Sequence, residues 1–381
     1  MWNSVKLREI CEFKKGKKVK VIKTKSIRVV PYLLIDTLRG EQPNFYTEDN
    51  NYTEAKESDV LVVCDGANSG LIGTGLRGAV GSTIARLRLD EKKINKYYFC
   101  YFLKLNFSNL NADVRGAAIP HLKLEKMMNL EIPGVSLKSQ NLVVEEIETQ
   151  FARLDTAIKS LETINVKLDF YRQTVLLDAF KMKNYKETKR IAELCDVVRG
   201  GSPRPAGDVR YYGGDIPFLK VADLTRNREK YLSSFEYTIK EAGLKKTRKI
   251  SPNTLLLTNS GATLGVPKIS KIEATMNDGI AAFLNLDTRS IDYLYYFLLS
   301  RTKRLRNINQ GAAQPNLNTA IIKNLIVPYC NFEKQRKIAS KIESRFSIID
   351  KIEETVNIAL VKAKKLRTSI LKAAFEGKLV N

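Results

Sequence analysis

One histidine, His121, occurs in 381 residues. That scarcity removes most general-base and nucleophilic-triad chemistry, which relies on an imidazole to move protons near neutral pH. The five cysteines (Cys11, Cys64, Cys100, Cys195, Cys330) form no C-x-x-C pair, and with a single histidine a His/Cys metal cluster is almost excluded. Cys11 and Cys195 lie inside apolar patterns, where small buried hydrophobes are expected rather than reactive thiols. No run of about 18 or more apolar residues could span a bilayer. The opening MWNSVKLREICEFKKGKK lacks the apolar core of a signal peptide, so a cytoplasmic protein without membrane attachment is expected. The string G-x-x-x-x-G-K-S/T, which would cradle nucleotide phosphates, is missing, as are the N/D-P-P-Y/F loop and glycine-rich cofactor turn of a methyltransferase. LKLEK (122–126) looks like part of a nuclease site but has no acidic metal-binding partner at a persuasive spacing. The expectation is a chain with no catalytic residues, no metal and no cofactor of its own.

Acidic residues are also scarce: 41 Asp and Glu face 64 Lys and Arg, giving a net charge of +23. Such an excess implies a polyanionic partner. Without a lipidation motif or a short basic amphipathic anchor, nucleic acid leads over a membrane surface. KKGKKVKVIKTK (14–25) concentrates Lys14, Lys15, Lys17, Lys18 and Lys20 in a run suited to phosphate contact. Arg199, Arg204 and Arg210 in VVRGGSPRPAGDVR, and then Lys245, Lys246, Arg248 and Lys249, make a second basic region.

What the chain has is a long internal repeat. RGAAIPHL (115–122) returns as QGAAQPNL (310–317), and the same shift of 195 aligns Gly66 and Gly70 with Gly261 and Gly265. It carries Tyr98, Tyr101 and Phe102 onto Tyr293, Tyr296 and Phe297, then Gln140 onto Gln335 and Phe180 onto Phe375. At the front, Leu7, Ile10, Cys11 and Gly16 match Ile191, Leu194, Cys195 and Gly200 at a shift of 184, so the second copy holds a net insertion of eleven residues before Leu255. A period this long means two domain-sized modules and not a solenoid.

Each copy begins with short β-rich runs, DVLVVC and TLLLT, closed by the glycine turns DGANSG and NSGATLG, followed by apolar helical segments at 95–105 and 291–301. This is α+β or α/β patterning. Each copy ends in a narrow apolar stripe at three-four spacing: Phe151, Leu154, Ile158, Leu161, Leu168, Val175 and Ala179 in one, Ile342, Phe346, Ile349, Val356, Leu360, Ala363, Ile370 and Ala374 in the other. Stripes so long and narrow predict two helices of roughly 40 residues that bury each other as an antiparallel, pseudo-two-fold pair. Arg172 and Arg367 interrupt the stripes at equivalent positions and are candidates for setting register.

Positions that differ between copies beside identical frame residues are free to encode two targets. Arg115/Gln310, Ile119/Gln314, His121/Asn316 and Asn68/Thr263 are the pairs of this kind. Arginine suits guanine O6 and N7, whereas Asn and Gln suit adenine N6 and N7. Neutral drift in surface turns is the plain alternative for any one pair.

Two variable basic modules, each followed by a repeated helix, with the C-terminal stretch LRTSILKAAFEGKLV (366–380), resemble the specificity subunit of a type I restriction-modification system. The resemblance implies target recognition domains at 1–137 and 184–332 that each read half of a split double-stranded DNA site. It implies spacer helices at 138–183 and 333–381 that form the coiled coil and dock two methyltransferase subunits. S-adenosylmethionine, ATP and magnesium would bind the methyltransferase and the restriction (motor) subunits, leaving this chain to supply the address. A stand-alone DNA-modifying enzyme and a coiled-coil DNA-binding scaffold are the alternatives.

Overall fold

The computed structural model describes residues 3–23, 29–111, 122, 124–307 and 317–380. They fall into two compact units, Met1–Leu161 with Ile358–Asn381, and Glu162–Asn357. Four long helices recur below: α1 (Lys96–Asn111), α2 (Leu137–Ala179), α3 (Ile291–Asn307) and α4 (Phe332–Phe375).

Unit 1 is built on an antiparallel sheet of strands Cys11–Lys15, Ile84–Leu89, Val60–Val63 and Ile72–Thr74, in that order. A second sheet runs Tyr46–Thr47, Val30–Leu33, Gly78–Val80, Glu54–Ala55. The continuous apolar run VLVV at 60–63 arises because successive side chains point to opposite faces and both faces are covered. Val60 and Val62 join Leu7, Leu87, Tyr98 and Phe99 in one core, while Leu61 and Val63 join Leu33, Val80 and Ile84 in another. Burial pushes the Cys11 and Cys195 thiols up to about 12, in keeping with their expected role as small core residues.

Unit 2 repeats this plan. Leu255 and Leu257 of its central strand enter one core and Leu256 the other. The insertion is spread over several loops: equivalent residues stand 184 apart at Lys15 and Arg199, 186 at Leu33 and Leu219, and 195 at Ala55 and Ile250. It adds a fifth strand, Tyr231–Leu232, to the larger sheet. The buried Lys268 ammonium holds the loop before this strand, donating to the Asn227 carbonyl and its Oδ1 at 3.0 Å each.

Gly16 and Gly200 are equivalent for a steric reason. A Cβ on Gly16 would lie 2.1 Å from the Gly81 carbonyl oxygen, and one on Gly200 2.2 Å from that of Asn277. Only glycine lets the backbone cross so closely.

The long helices carry the expected stripe: every apolar position named above is buried or half-buried. In unit 1, Arg367 of α4 donates to Asp155 of α2. In unit 2, Arg172 of α2 donates to Asp350 and Glu353 of α4, and Asn165 donates to Asn357 at 3.2 Å. As numbers rise along α2 they fall along α4, so the helices pair antiparallel.

The compact units do not coincide with the sequence copies. Phe375, from the end of the second copy, packs at 4.9 and 5.4 Å from Tyr98 and Phe102 of the first. Phe180, from the end of the first copy, packs at 5.2 and 5.7 Å from Tyr293 and Phe297 of the second. Each copy therefore lends its C-terminal half-helix to the core of the other. Phe375→Ala should cost about 3–5 kcal/mol, and the loss should appear in the N-terminal unit although residue 375 lies near the C-terminus. Hydrogen exchange under mild denaturant checks this; faster exchange confined to residues 162–357 would count against it.

Candidate nucleic-acid interface

The lysine run starts in a strand and leaves it at the glycine crossing. Lys14 pairs in register with Arg86, and Lys15 with Ala85. Beyond Gly16, Lys17 is held by its N–H to the Val80 carbonyl, 3.1 Å, and its ammonium reaches Asn51 Oδ1 at 2.5 Å. All five lysines, Lys14, Lys15, Lys17, Lys18 and Lys20, are exposed. Among the described residues only Lys15 of the five has an acidic partner for its ammonium, Asp65 at 2.8 Å, and that hydrogen bond raises its pKa. Asp49 binds the backbone N–H of Lys20 and not its side chain. Four ammonium groups are thus left uncompensated.

Asp65 opens the turn DGANSG, whose Gly66 and Gly70 have φ of +92° and +85°. Asn68 in this turn is half-buried, and its Oδ1 accepts from Arg39 Nη2 at 2.6 Å. Arg39 therefore joins the face, a residue that sequence spacing did not single out. The counterpart Thr263 is exposed on the turn closed by Gly261 and Gly265. Next to each turn the repeated Leu122 and Leu317 are anchored through their N–H groups, to the Cys64 carbonyl at 2.8 Å and the Asn259 carbonyl at 2.7 Å. Arg115, Ile119, His121, Gln310, Gln314 and Asn316 lie outside the described residues.

In unit 2, Arg199 and Arg204 stand 184 positions after Lys15 and Lys20. Both face Asp278, at 4.0 and 3.8 Å. Ser202 Oγ donates to the same carboxylate at 2.6 Å. Lys246 lies 4.0 Å over the Tyr211 ring and donates to its hydroxyl at 2.8 Å, and Arg248 Nε donates to the Arg199 carbonyl at 3.3 Å. Arg210 lies 5.5 Å over the same Tyr211 ring, with its guanidinium closed on Asp208 at 2.6 Å. Basic groups interleaved with tyrosine rings suit phosphates and base faces alike. Among the described residues no cluster of His, Cys, Asp and Glu could hold a metal ion, and no helix is long and apolar enough to cross a membrane.

The profile of the type I restriction modification DNA specificity domain matches residues 1–167 and again 182–362. The chain belongs to this family. Among its relatives, the MjaVIII specificity subunit of Methanocaldococcus jannaschii is 24% identical over 99% of this chain and 93% of that protein. The EcoBI specificity subunit of Escherichia coli is 26% identical over 92% and 80% respectively. A chain solved in a study of complex assembly and conformational transition of the type I R-M system aligns with a TM-score of 0.77 at 17% identity, over 99% of this chain and 98% of that one. The HsdS subunit from Thermoanaerobacter tengcongensis aligns at 0.62 with 18% identity, over 99% and 97%. At those identities the two structures speak for the fold.

The register arginines, equivalent in this family member's two copies, differ in setting. The Arg172 side chain is 13% exposed among Asp169, Asp350 and Glu353, whereas that of Arg367 is 42% exposed, with Asp155 as its acidic partner among the described residues and the Phe151 ring at 4.9 Å. Arg228, from the inserted loop, adds a bond to Asp169 at 2.9 Å and so ties that loop to α2. Removing Arg172 leaves Asp169, Asp350 and Glu353 clustered with the more exposed Arg228 as counter-ion, 2.9 Å from Asp169 and 3.6 Å from Glu353. Arg172→Ala should cost about 1–3 kcal/mol and Arg367→Ala under about 1 kcal/mol, the level of exposed pairs. Urea denaturation of the two variants decides it, and equal losses would contradict the reading.

Proposed function

We propose that each unit reads one half of a split duplex DNA site and that the paired helices carry two methyltransferase subunits, so that the chain addresses an enzyme whose chemistry lies elsewhere. The observation that carries the reading is the duplication of a basic face on one shared frame. Lys15, Gly16 and Lys20 in unit 1 correspond to Arg199, Gly200 and Arg204 in unit 2, with different neighbours around each. A common frame with different side chains is what two different half-sites require. S-adenosylmethionine, ATP and magnesium belong in this reading to the methyltransferase and motor subunits. The domain limits that follow are recognition domains at 1–137 and 184–332 and spacer helices at 138–183 and 333–381.

Docking of two partner copies rests on apolar side chains that the helix pair leaves uncovered. Val166 and its repeat equivalent Val361 are 70% and 55% exposed, and Tyr171 and Leu366 are 47% and 48% exposed. Apolar residues recurring at equivalent positions provide two like surfaces, one on each unit. Val166→Glu combined with Val361→Glu should weaken association with the methyltransferase subunit on the order of tenfold or more, since a charge must then be buried, and leave DNA binding by the chain unchanged. Analytical ultracentrifugation with labelled DNA separates the two; full retention of the complex would exclude this surface.

The direct test of the split-site reading is methylation mapping on genomic DNA with the assembled methyltransferase, which should return two short sequences at a fixed separation. Phosphate binding is tested separately. Replacing Lys14, Lys15, Lys17 and Lys18 with Ala should flatten the dependence of log K on log salt by about 0.9 for each phosphate that is no longer neutralised. An unaltered slope would place the run away from DNA.

A further inference from the structure

At one place in the shared frame the two copies present opposite chemistry. In unit 2, Phe218 pairs with Thr275 and Leu219 with Met276 in parallel register, and the Asn277 N–H donates to the Leu219 carbonyl at 2.9 Å. Lys220 and Asn277 therefore leave the ladder side by side. In unit 1, Leu33 pairs with Val80 and the Gly81 N–H donates to the Leu33 carbonyl, also at 2.9 Å. There the two departing residues are Leu34 and Gly81, and a Cβ on Gly81 would meet Leu34 Cδ2 at 3.0 Å. One backbone arrangement carries a leucine beside a bare glycine in the first copy and two polar side chains in the second.

Those two side chains line a cavity of about 500 Å³ together with Ser202, Arg204, Tyr237 and Asp278. The Lys220 ammonium lies 3.1 Å over the Tyr237 ring and has no acidic partner among the described residues. Asn277 Oδ1 accepts from the Gly279 N–H at 3.2 Å, which turns its amino group into the free end. The carboxylates of the cavity are engaged: Asp278 by Ser202, Arg199 and Arg204, and Glu236 by Arg226 at 3.2 Å. Beside the exposed Arg204 guanidinium, what Lys220 and Asn277 offer a ligand is a pair of donors on neighbouring residues of the ladder. On the major-groove edge guanine offers two acceptors, O6 and N7, whereas adenine pairs an acceptor with a donor, cytosine offers a donor, and thymine offers one acceptor beside a methyl group.

We propose that Lys220 and Asn277 determine specificity by reading the O6/N7 edge of a guanine in the half-site bound by unit 2, which rests on the split-site reading above. The first copy, with Leu34 and Gly81, has no such pair and reads its half-site without this interaction.

The test uses the chain assembled with its methyltransferase subunits and a library of duplexes randomised in both half-sites, with methylated products sequenced. The wild type should require a G·C pair at one position of the second half-site. Lys220→Leu, which installs the residue of the first copy, and Asn277→Ala should each lower discrimination at that position, on the order of tenfold to a hundredfold. The first half-site should be unchanged in both, which also reports an intact fold, and Lys220→Arg, which keeps the donors, should retain the preference. The proposal is overturned if the wild type reads a split site and neither variant relaxes any position in it. It is equally overturned if both variants lower methylation uniformly across sequences, the signature of phosphate binding. A wild type that returns no split site removes the functional reading itself.

Discussion

The structure depends on an exchange of aromatic side chains between its two sequence copies. Neither copy buries its own last aromatic residue: Phe180 enters the core around Tyr293 and Phe297, and Phe375 the core around Tyr98 and Phe102. A phenylalanine brings a large apolar area and prefers offset or edge-on neighbours, so each globular part is complete only when the helix of the other copy has arrived. The antiparallel course of α2 and α4 is then required by chain geometry as well as by the stripe. Their ion pairs refine a register that the aromatic anchors already impose.

Much of this was legible in the sequence, because the repeat behaves as a paired experiment. Positions kept in both copies mark where physics leaves no choice. Gly16 and Gly200 are kept because a Cβ would collide with a carbonyl, Tyr98 and Tyr293 because their hydroxyls cap the Pro133 and Pro328 carbonyls, and Gln140 and Gln335 because a buried amide donates to the backbone before each long helix. The helix stripes were legible because a narrow three-four pattern has few other ways to be buried. The exchange itself was not legible, since matching Phe180 with Phe375 says that the two residues play the same part and leaves open in which unit each plays it. Lys220 and Asn277 were missed for a related reason: 57 positions apart, they meet only through the parallel pairing of Leu219 with Met276. The equivalence of Lys220 with Leu34 stands at a shift of 186, which neither the 184 nor the 195 alignment of the sequence reveals. Of the proposed base-reading residues, those in the repeated G-A-A-x-P-x-L stretches fall outside the described residues; the leucines that end these stretches, Leu122 and Leu317, donate to the Cys64 and Asn259 carbonyls, each just before a glycine loop.

The two faces deploy their charge differently. In unit 1 the ammonium groups of Lys14, Lys17, Lys18 and Lys20 have no acidic partner among the described residues and stand exposed within a few residues of one another. Their mutual repulsion is modest at high dielectric and is screened over about 8 Å at physiological salt, so such a run persists at little cost and attracts any phosphate backbone. In unit 2 Arg199 and Arg204 are instead oriented by a shared carboxylate, and Lys220 and Lys246 by tyrosine rings. Holding a cation against an acid cancels its long-range attraction, holding it against a neutral ring does not, and both fix direction, which is what discrimination between base edges needs. A chain built from two copies of one frame can therefore give one unit a run of freely exposed cations and the other a larger share of directional donors. Under the proposed split-site reading, the divergence between the copies is then a division of labour as well as a change of target.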